Sequence, residues 1–522
     1  MSQEVGLYWE NGSLVPSQRT LSGQVIQQES GRAFMLREEQ LRRQLAELQA
    51  GHGVETVLSF PDASGTPRKY RVKERSVMSA ELQERYPGIR SYVGYSMEGT
   101  PSRIRFSISQ KGLQGMIVEL GTSRVHYLER APNAPDTYLL FSRDELQPIA
   151  GGWVCKTEAL TAKAAPGATS AKLFDDQQLR TYRLAVATTG EYTQYHGGTV
   201  ADALAAINAT VTRVNEVFER DLAIQLELIA ATDQVIYTDP NTDPFGGNFS
   251  SEVQTTLTTV IGAPSYDIGH LFHQGGENGN AGFIGAVCDD DRKGSAFAST
   301  PNPEGDRFDL DFVAHEMGHQ FGANHTWSFD TEGTGVQAEP GSGSTIMGYA
   351  GITQNDDVQS AGDDYFHYYS ILQISQYVAG TSCALLTPLE NTPPQITPIP
   401  DFQIPKGTAF VLEGVATDAD PGDQLTYAWE QIDDGVVTRA SFGPENPAGA
   451  NFRSRTPVSE PKRYFPLLSR VSSGNLTQTN PASGSAWETV ATVERDLNFS
   501  LTVRDNAEGG GQVSSELTKV SV

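Results

Sequence analysis

HEMGHQFGANH, running from His315 to His325, is the stretch that decides how this 522-residue chain is read. His315 and His319 are four apart, so a helix places them on one face, one turn above the other. Two neutral imidazoles held that way make half of a tetrahedral zinc site. Glu316 lies beside the first His on the same side of the helix. It is badly placed as a third ligand, but it can take a proton from a water in the site. Gly322 suits a helix end in the left-handed conformation, which glycine adopts at little steric cost. The chain can then break and swing His325 back as third ligand. Three protein ligands leave the fourth position to water, the arrangement of a catalytic zinc rather than a structural one. Five fixed positions, each filled at a few per cent, match by chance at about 10⁻⁴ over such a length.

HExxHxxGxxH followed by a Met-turn marks the metzincin metalloproteases. Ser344 to Tyr349 reads STIMGY, with Met347 standing 22 residues after His325. The chain resembles that clan over roughly Leu179 to Ala384. Within it, Phe312–Trp327 and Gly341–Gly351 resemble the bacterial reprolysin-like enzymes. Thr326 stands where reprolysins usually carry Asp, and Gly348-Tyr349 follows the Met where they usually continue with Pro. That second feature is closer to astacins and serralysins, in which the Tyr is an additional metal ligand. The resemblance therefore implies Tyr349 as a zinc ligand or oxyanion donor; packing in the Met-turn is the alternative. It further implies Met347 as a soft apolar floor under the metal. A disulfide between Cys288 and Cys383 is implied too, because reprolysins tie their C-terminal helix back to a similar point. Such a bond means an oxidising compartment.

The length suggests two to four domains, and the residue patterns suggest an α+β multidomain chain. Its expected parts are a β-rich propeptide, a catalytic domain with a mixed twisted sheet and a zinc helix, and a C-terminal β-sandwich. A net charge of −26 and a pI near 4.7 argue against nucleic acid as partner. No apolar run reaches the roughly 20 residues of a membrane span. The opening Met1-Ser-Gln-Glu-Val-Gly has neither the basic start nor the apolar stretch of a signal peptide. Secretion is expected from the resemblance, with the signal peptide not present in this chain. A monomer is expected.

Residues 1–155 read as a propeptide-like domain. Leu36, Leu41, Leu45 and Leu48 space a helix within Leu36–Ala50. Strands are expected at Val54–Phe60, Lys69–Glu74, Arg103–Ser109, Gly115–Glu119, Arg124–Leu128 and Tyr138–Phe141. His52 and His126 read as ordinary residues. Residues 1–172 carry 21 Lys plus Arg against 18 Asp plus Glu, whereas the rest carries 17 against 46. An Arg-rich segment ahead of a strongly acidic body suits a covering domain, and reprolysin-like enzymes carry an inhibitory propeptide in this position. Residues 156–175, rich in Ala, Thr and Lys, read as a flexible cleavable linker. Cys155 is left over once Cys288 and Cys383 pair. A thiolate is a good zinc ligand, so Cys155 could fill the fourth position and keep the enzyme silent, a switch several metzincin groups use. A buried free thiol is the alternative.

The catalytic domain spans 176–388. Strands are expected at Tyr182–Thr188 and Ala223–Ile229. Leu204, Ile207, Val211, Val214 and Phe218 mark a helix capped by Thr199. The resemblance assigns Tyr266–Phe272 to the edge strand that pairs with extended substrate. His270 and His273 read as non-ligands, because three histidines already complete the site. Asp309 or Asp311 is expected to begin the active-site helix, and Ile371, Leu372, Ile374, Tyr377 and Val378 to form the closing helix. Residues 389–522 alternate like an Ig- or cadherin-like sandwich, with the insertion from Asp433 to Trp487 unassigned. Asp418, Asp420, Asp423 and Asp505 could hold Ca²⁺ or simply form turns.

The expected function is a secreted zinc endopeptidase made as a zymogen, cleaving protein or peptide substrates with Zn²⁺ as cofactor and its own propeptide as inhibitor. The other class considered is a non-catalytic adhesive protein that keeps a metzincin-shaped domain. The intact Glu316 weighs against it, since binding alone has no use for a base.

Overall fold

Alternating apolar residues over the first 141 positions build one sheet before the zinc-type motif is reached. The computed structural model describes residues 8–15, 18–27, 31–49, 55–122, 124–132, 134–147, 152–160 and 173–522. Nine antiparallel strands make this first sheet: β1 (Trp9–Asn11), β2 (Arg32–Leu36), β3 (Thr56–Pro61), β4 (Pro67–Glu74), β5 (Arg90–Ser96), β6 (Ser102–Ser109), β7 (Gly112–Glu119), β8 (Arg124–Ala131) and β9 (Ala134–Phe141). Their spatial order is β1-β2-β9-β8-β7-β6-β5-β4-β3. Leu36 ends β2 instead of opening a helix, and the rest of the expected helix forms as α1 (Glu38–Gln49). It buries Leu41, Leu45 and Leu48 in an apolar cluster with Phe60, Phe106 and Leu128. His126 sits in this sheet beside Glu119, and His52 lies outside the described residues. A short helix, α2 (Ala80–Arg85), follows β4.

After β10 (Val154–Cys155) the chain enters the second sheet with β11 (Gln178–Thr188). Helices α3 (Gly190–Tyr195) and α4 (Val200–Leu222) come next, then β12 (Ile224–Leu228) and α5 (Phe249–Val260). Thr199 caps α4 as expected, its hydroxyl accepting the Asp202 N–H at 3.1 Å. Leu204, Ile207, Val211, Val214 and Phe218 face the core fully buried, each burial stabilising by about 1.5–3 kcal/mol. The opposite stripe of α4 is buried too, under the N-terminal sheet, and it is polar. Asn208 and Thr212 bond Ser91. Glu216 takes Arg103 and Arg105 of β6, and Arg213 bridges Glu129 of β8 and Asp309 at 2.8 Å each. The charge contrast along the chain is thus spent across this contact. Leaving one such buried charge unpaired would cost about 3–5 kcal/mol.

The second sheet continues with β13 (Ile268–Gln274), β14 (Asn278–Asn280) and β15 (Ala296–Thr300), in the order β10-β14-β15-β13-β11-β12. Strands β12, β11, β13 and β15 are parallel, and β14 runs antiparallel to β15. The expected edge strand is therefore misplaced. Ile268–Phe272 falls in interior β13 and is buried. The edge of the catalytic segment is the short polar β14 within the Gly-rich run, and β10 is added to it in parallel.

Residues 156–160 continue from β10 with Thr157 buried and Lys156, Glu158 and Leu160 exposed, whereas Leu173 and Phe174, expected in the same linker, are buried in the core. Residues 161–172 of that linker lie outside the described residues. Helix α6 (His315–Gln320) is preceded by a π-helical stretch, Arg307–Ala314. Asp309 falls in the first turn of that stretch, as expected of an acid at the helix start, and Asp311 lies further in; they serve ion pairs with Arg213 and Arg143. The closing helix forms as α7 (Tyr368–Ala379), and Cys383 beyond it is disulfide-bonded to Cys288. β16 (Leu385–Pro388) then pairs with β11.

The C-terminal residues form a four-stranded sheet and two two-stranded pieces around Leu412, Trp429, Phe452, Phe465 and Phe499. The previously unassigned insertion packs on the peptidase segment, where Val437, Phe442 and Trp487 enclose Val358. No helix among the described residues is long and apolar enough to cross a membrane.

Candidate metal centre

Helix α6 presents His315 and His319 to one point, and the break at Gly322, whose φ is +107°, brings His325 to the same point. His319 Nε2 lies 3.2 Å from His315 Nε2 and 3.0 Å from His325 Nε2. Each ring gives its other nitrogen to an acceptor at 2.7 Å: His315 to the Ile346 carbonyl, His319 to the Ala323 carbonyl, and His325 to Glu332. Those bonds fix the tautomers and leave every Nε2 lone pair aimed inward. Burial holds His315 down to about 3 and His319 well below its ordinary value, with neighbouring imidazoles adding to the effect. Three Nε2 lone pairs converging on one point are reconciled by a cation.

Cys155 Sγ completes the set. It lies 3.6 Å from His319 Nε2, and the four donor atoms all fall within 4.8 Å of one another. A tetrahedral centre with Zn–N of about 2.0–2.1 Å and Zn–S of about 2.3 Å needs N···N near 3.4 Å and N···S near 3.6 Å. The three distances from His319, 3.2, 3.0 and 3.6 Å, fall within a few tenths of an ångström of those values.

The remaining predicted residues gather here. Glu316 is fully buried, and its Oε2 accepts the Thr157 hydroxyl at 2.9 Å. Its Oε1 is buried with no hydrogen-bond partner among the described residues, and burial pushes the carboxyl up to about 8. The Tyr349 hydroxyl lies 3.0 Å from His325 Nε2. Met347 is buried beneath the helix, where a Cβ at Gly318 would come within 2.5 Å of its sulfur. His270 bonds Gln320 and His273 bonds Thr189, so neither joins the centre.

Sequence reasoning missed three contributors. Glu332 orients His325. Trp153 stacks on Phe312 at 4.6 Å and meets His315 edge-on. Thr157 accepts the Ala281 N–H at 2.8 Å while donating to Glu316. The structure brings three of the four acids proposed for calcium together. Asp418, Asp423 and Asp505 approach one another, but Asp505 spends both oxygens on Ala507, Gln512 and Asn391, and Asp420 turns to the Thr392 N–H. The Asn391–Asp505 and Thr392–Asp420 bonds tie distant segments together, and the family match lends calcium no support.

A histidine pair one helical turn apart, a third His beyond a glycine break and a methionine beneath them define a metallopeptidase centre of the metzincin type. Residues 178–378, under half of the chain, match the model of metallo-peptidase family M12B, reprolysin-like. A comparison with curated proteins returns no match.

His319 touches both other imidazoles, so its loss should open the centre most directly. His319→Ala is expected to purify without stoichiometric zinc by metal analysis. Zinc retained at one per chain would contradict its role as ligand.

Proposed function

We propose that the chain is a secreted zinc endopeptidase made in latent form, with the residues through Cys155 as its inhibitory propeptide. The convergence of three imidazole nitrogens beside a buried Glu316 in a reprolysin-like domain carries this reading. Zinc held by His315, His319 and His325 supplies Lewis-acid polarisation of the scissile carbonyl and of the attacking water. Glu316 takes the water's proton on a carboxylate oxygen and passes it to the leaving amine. Tyr349 donates to the carbonyl oxygen as charge develops there. Extended substrate adds to the edge of β14 by main-chain hydrogen bonds, the place β10 holds in the uncut chain. The disulfide between Cys288 and Cys383 supports an oxidising, extracellular setting.

Latency rests on the same geometry. Val154–Cys155 occupies the β14 edge, Trp153 covers His315, Thr157 engages Glu316, and the Cys155 thiolate serves as fourth ligand. A cut within 161–172 frees that segment. The polar stripe of α4 is a surface that water can serve once the covering sheet leaves. The test is metal analysis together with hydrolysis of an unfolded protein before and after that cut. A chain without zinc, or a cut chain without hydrolysis, would overturn the proposal.

Tyr349→Phe removes only the hydroxyl. It is expected to lower kcat by roughly tenfold to a hundredfold while changing KM less, because the bond strengthens in the transition state. Steady-state kinetics on the cut enzyme decide it, and an unchanged kcat would make Tyr349 a packing residue.

A further inference from the structure

The three imidazoles are not held alike, and the difference leads out of the peptidase domain. His315 and His319 give their Nδ1–H groups to peptide carbonyls, but His325 gives its to the carboxylate of Glu332 at 2.7 Å. A carbonyl fixes a ring's direction; a carboxylate also adds negative charge and makes the far nitrogen a stronger donor. The Glu332 side chain is 13% exposed, and its second oxygen is buried without a hydrogen-bond partner among the described residues.

Glu332 stands in a stretch with no helix or strand of its own, so something else must hold it. Gln337 does so: its Oε1 accepts the N–H groups of Glu332 and Gly333 at 2.9 and 3.1 Å. Its Nε2 donates to the Asp330 carbonyl at 2.6 Å, closing the loop on itself. Gln337 is in turn pinned from beyond the peptidase segment. Its N–H donates to Asp434 Oδ1 at 2.9 Å, and its carbonyl accepts the Gly435 N–H at 3.2 Å. Val437 adds two backbone bonds at 2.8 Å, donating to the Ser328 carbonyl and accepting the Gly341 N–H.

Resting on the reading of the three histidines as zinc ligands, we propose that Glu332 is a positioning residue for His325. We propose further that the C-terminal domain, through Asp434, keeps it in register. That domain then supports the metal centre rather than trailing it as a separable module.

The experiment follows zinc loss from the full chain to an excess of a chromogenic chelator, with a thermal melt of each variant. Wild type should hold one zinc; a chain with none would overturn the ligand reading itself and this proposal with it. Glu332→Ala should lose zinc about 10–100-fold faster. Glu332→Gln, which keeps an acceptor but not the charge, should fall between it and wild type. Asp434→Ala should shift zinc loss the same way by several-fold, while Thr331→Ala, on the exposed part of the same loop, should match wild type. If both Glu332 variants melt earlier yet hold zinc as wild type does, Glu332 only packs the loop and the proposal falls. Wild-type zinc loss in Asp434→Ala would overturn the part given to the C-terminal domain.

Discussion

Glu316→Ala is expected to keep one zinc and the native fold while losing roughly 10²–10⁴-fold in kcat/KM, the usual contribution of a general base. The separation of the two effects follows from where the groups lie. The metal's donors are His315, His319 and His325, each with its own Nδ1 partner, and none of those partners is Glu316. Removing the carboxylate therefore leaves the donor set intact. What disappears is a buried oxygen with no other bond to make, at the mouth of the centre. The measurement is metal content and hydrolysis of an unfolded protein by the cut chain, run beside Glu316→Gln to keep the side-chain volume. Full activity in either variant would sink the assignment of the base. Loss of zinc along with activity would mean that Glu316 supports the site rather than acts in it.

The centre was legible because its geometry is nearly all local. Eleven residues fix the spacing of His315, Glu316, His319, Gly322 and His325, and helix periodicity followed by a left-handed break converts that spacing into convergence. Met347 and Tyr349 followed from a short motif with a known place under the metal. Glu332 was not legible. It lies seven residues past His325 in a stretch without periodicity, and only a fold that closes through Gln337 brings it back. The edge strand failed for a related reason. β14 is the three-residue Asn278–Asn280 inside a glycine-rich run, so nothing in its composition says strand, while the apolar Tyr266–Phe272 run reads equally well as edge or interior.

In the N-terminal sheet six strands were legible, but β1, β2 and β5 were not; Gly94 interrupts the pattern of β5. That glycine allows close packing between β4 and β6, where a Cβ would meet Val72 at 2.8 Å. The active-site helix shows the same limit. Asp309 and Asp311 looked like acids placed for a helix dipole, yet each answers an arginine, Arg213 in α4 and Arg143 just after β9. A sequence pattern cannot reveal a partner some hundred residues away.

Cys155→Ser should turn the uncut chain from silent to active, by on the order of tenfold or more in hydrolysis of a short peptide, a change of about 1.4 kcal/mol or greater. The thiol lies 3.6 Å from His319 Nε2, a separation that also suits a shared zinc. Burial and the nearby Glu316 carboxylate push this thiol well above its ordinary value, so the thiolate is sustained by a cation or not at all. A serine hydroxyl is a far poorer ligand, and its loss from the fourth position leaves that position to water. The rise should still fall short of the cut enzyme. Trp153 continues to cover His315, the Val154–Cys155 strand continues to hold the β14 edge, and Thr157 continues to occupy Glu316. The gap between Cys155→Ser and the cut chain then measures those contacts. Adding Thr157→Ala should narrow it, because Glu316 is released. The decisive comparison is the uncut wild type against uncut Cys155→Ser, with the linker checked intact by mass. Equal silence in both would mean that the covering segment blocks the cleft by its strand and its tryptophan alone, with Cys155 a bystander.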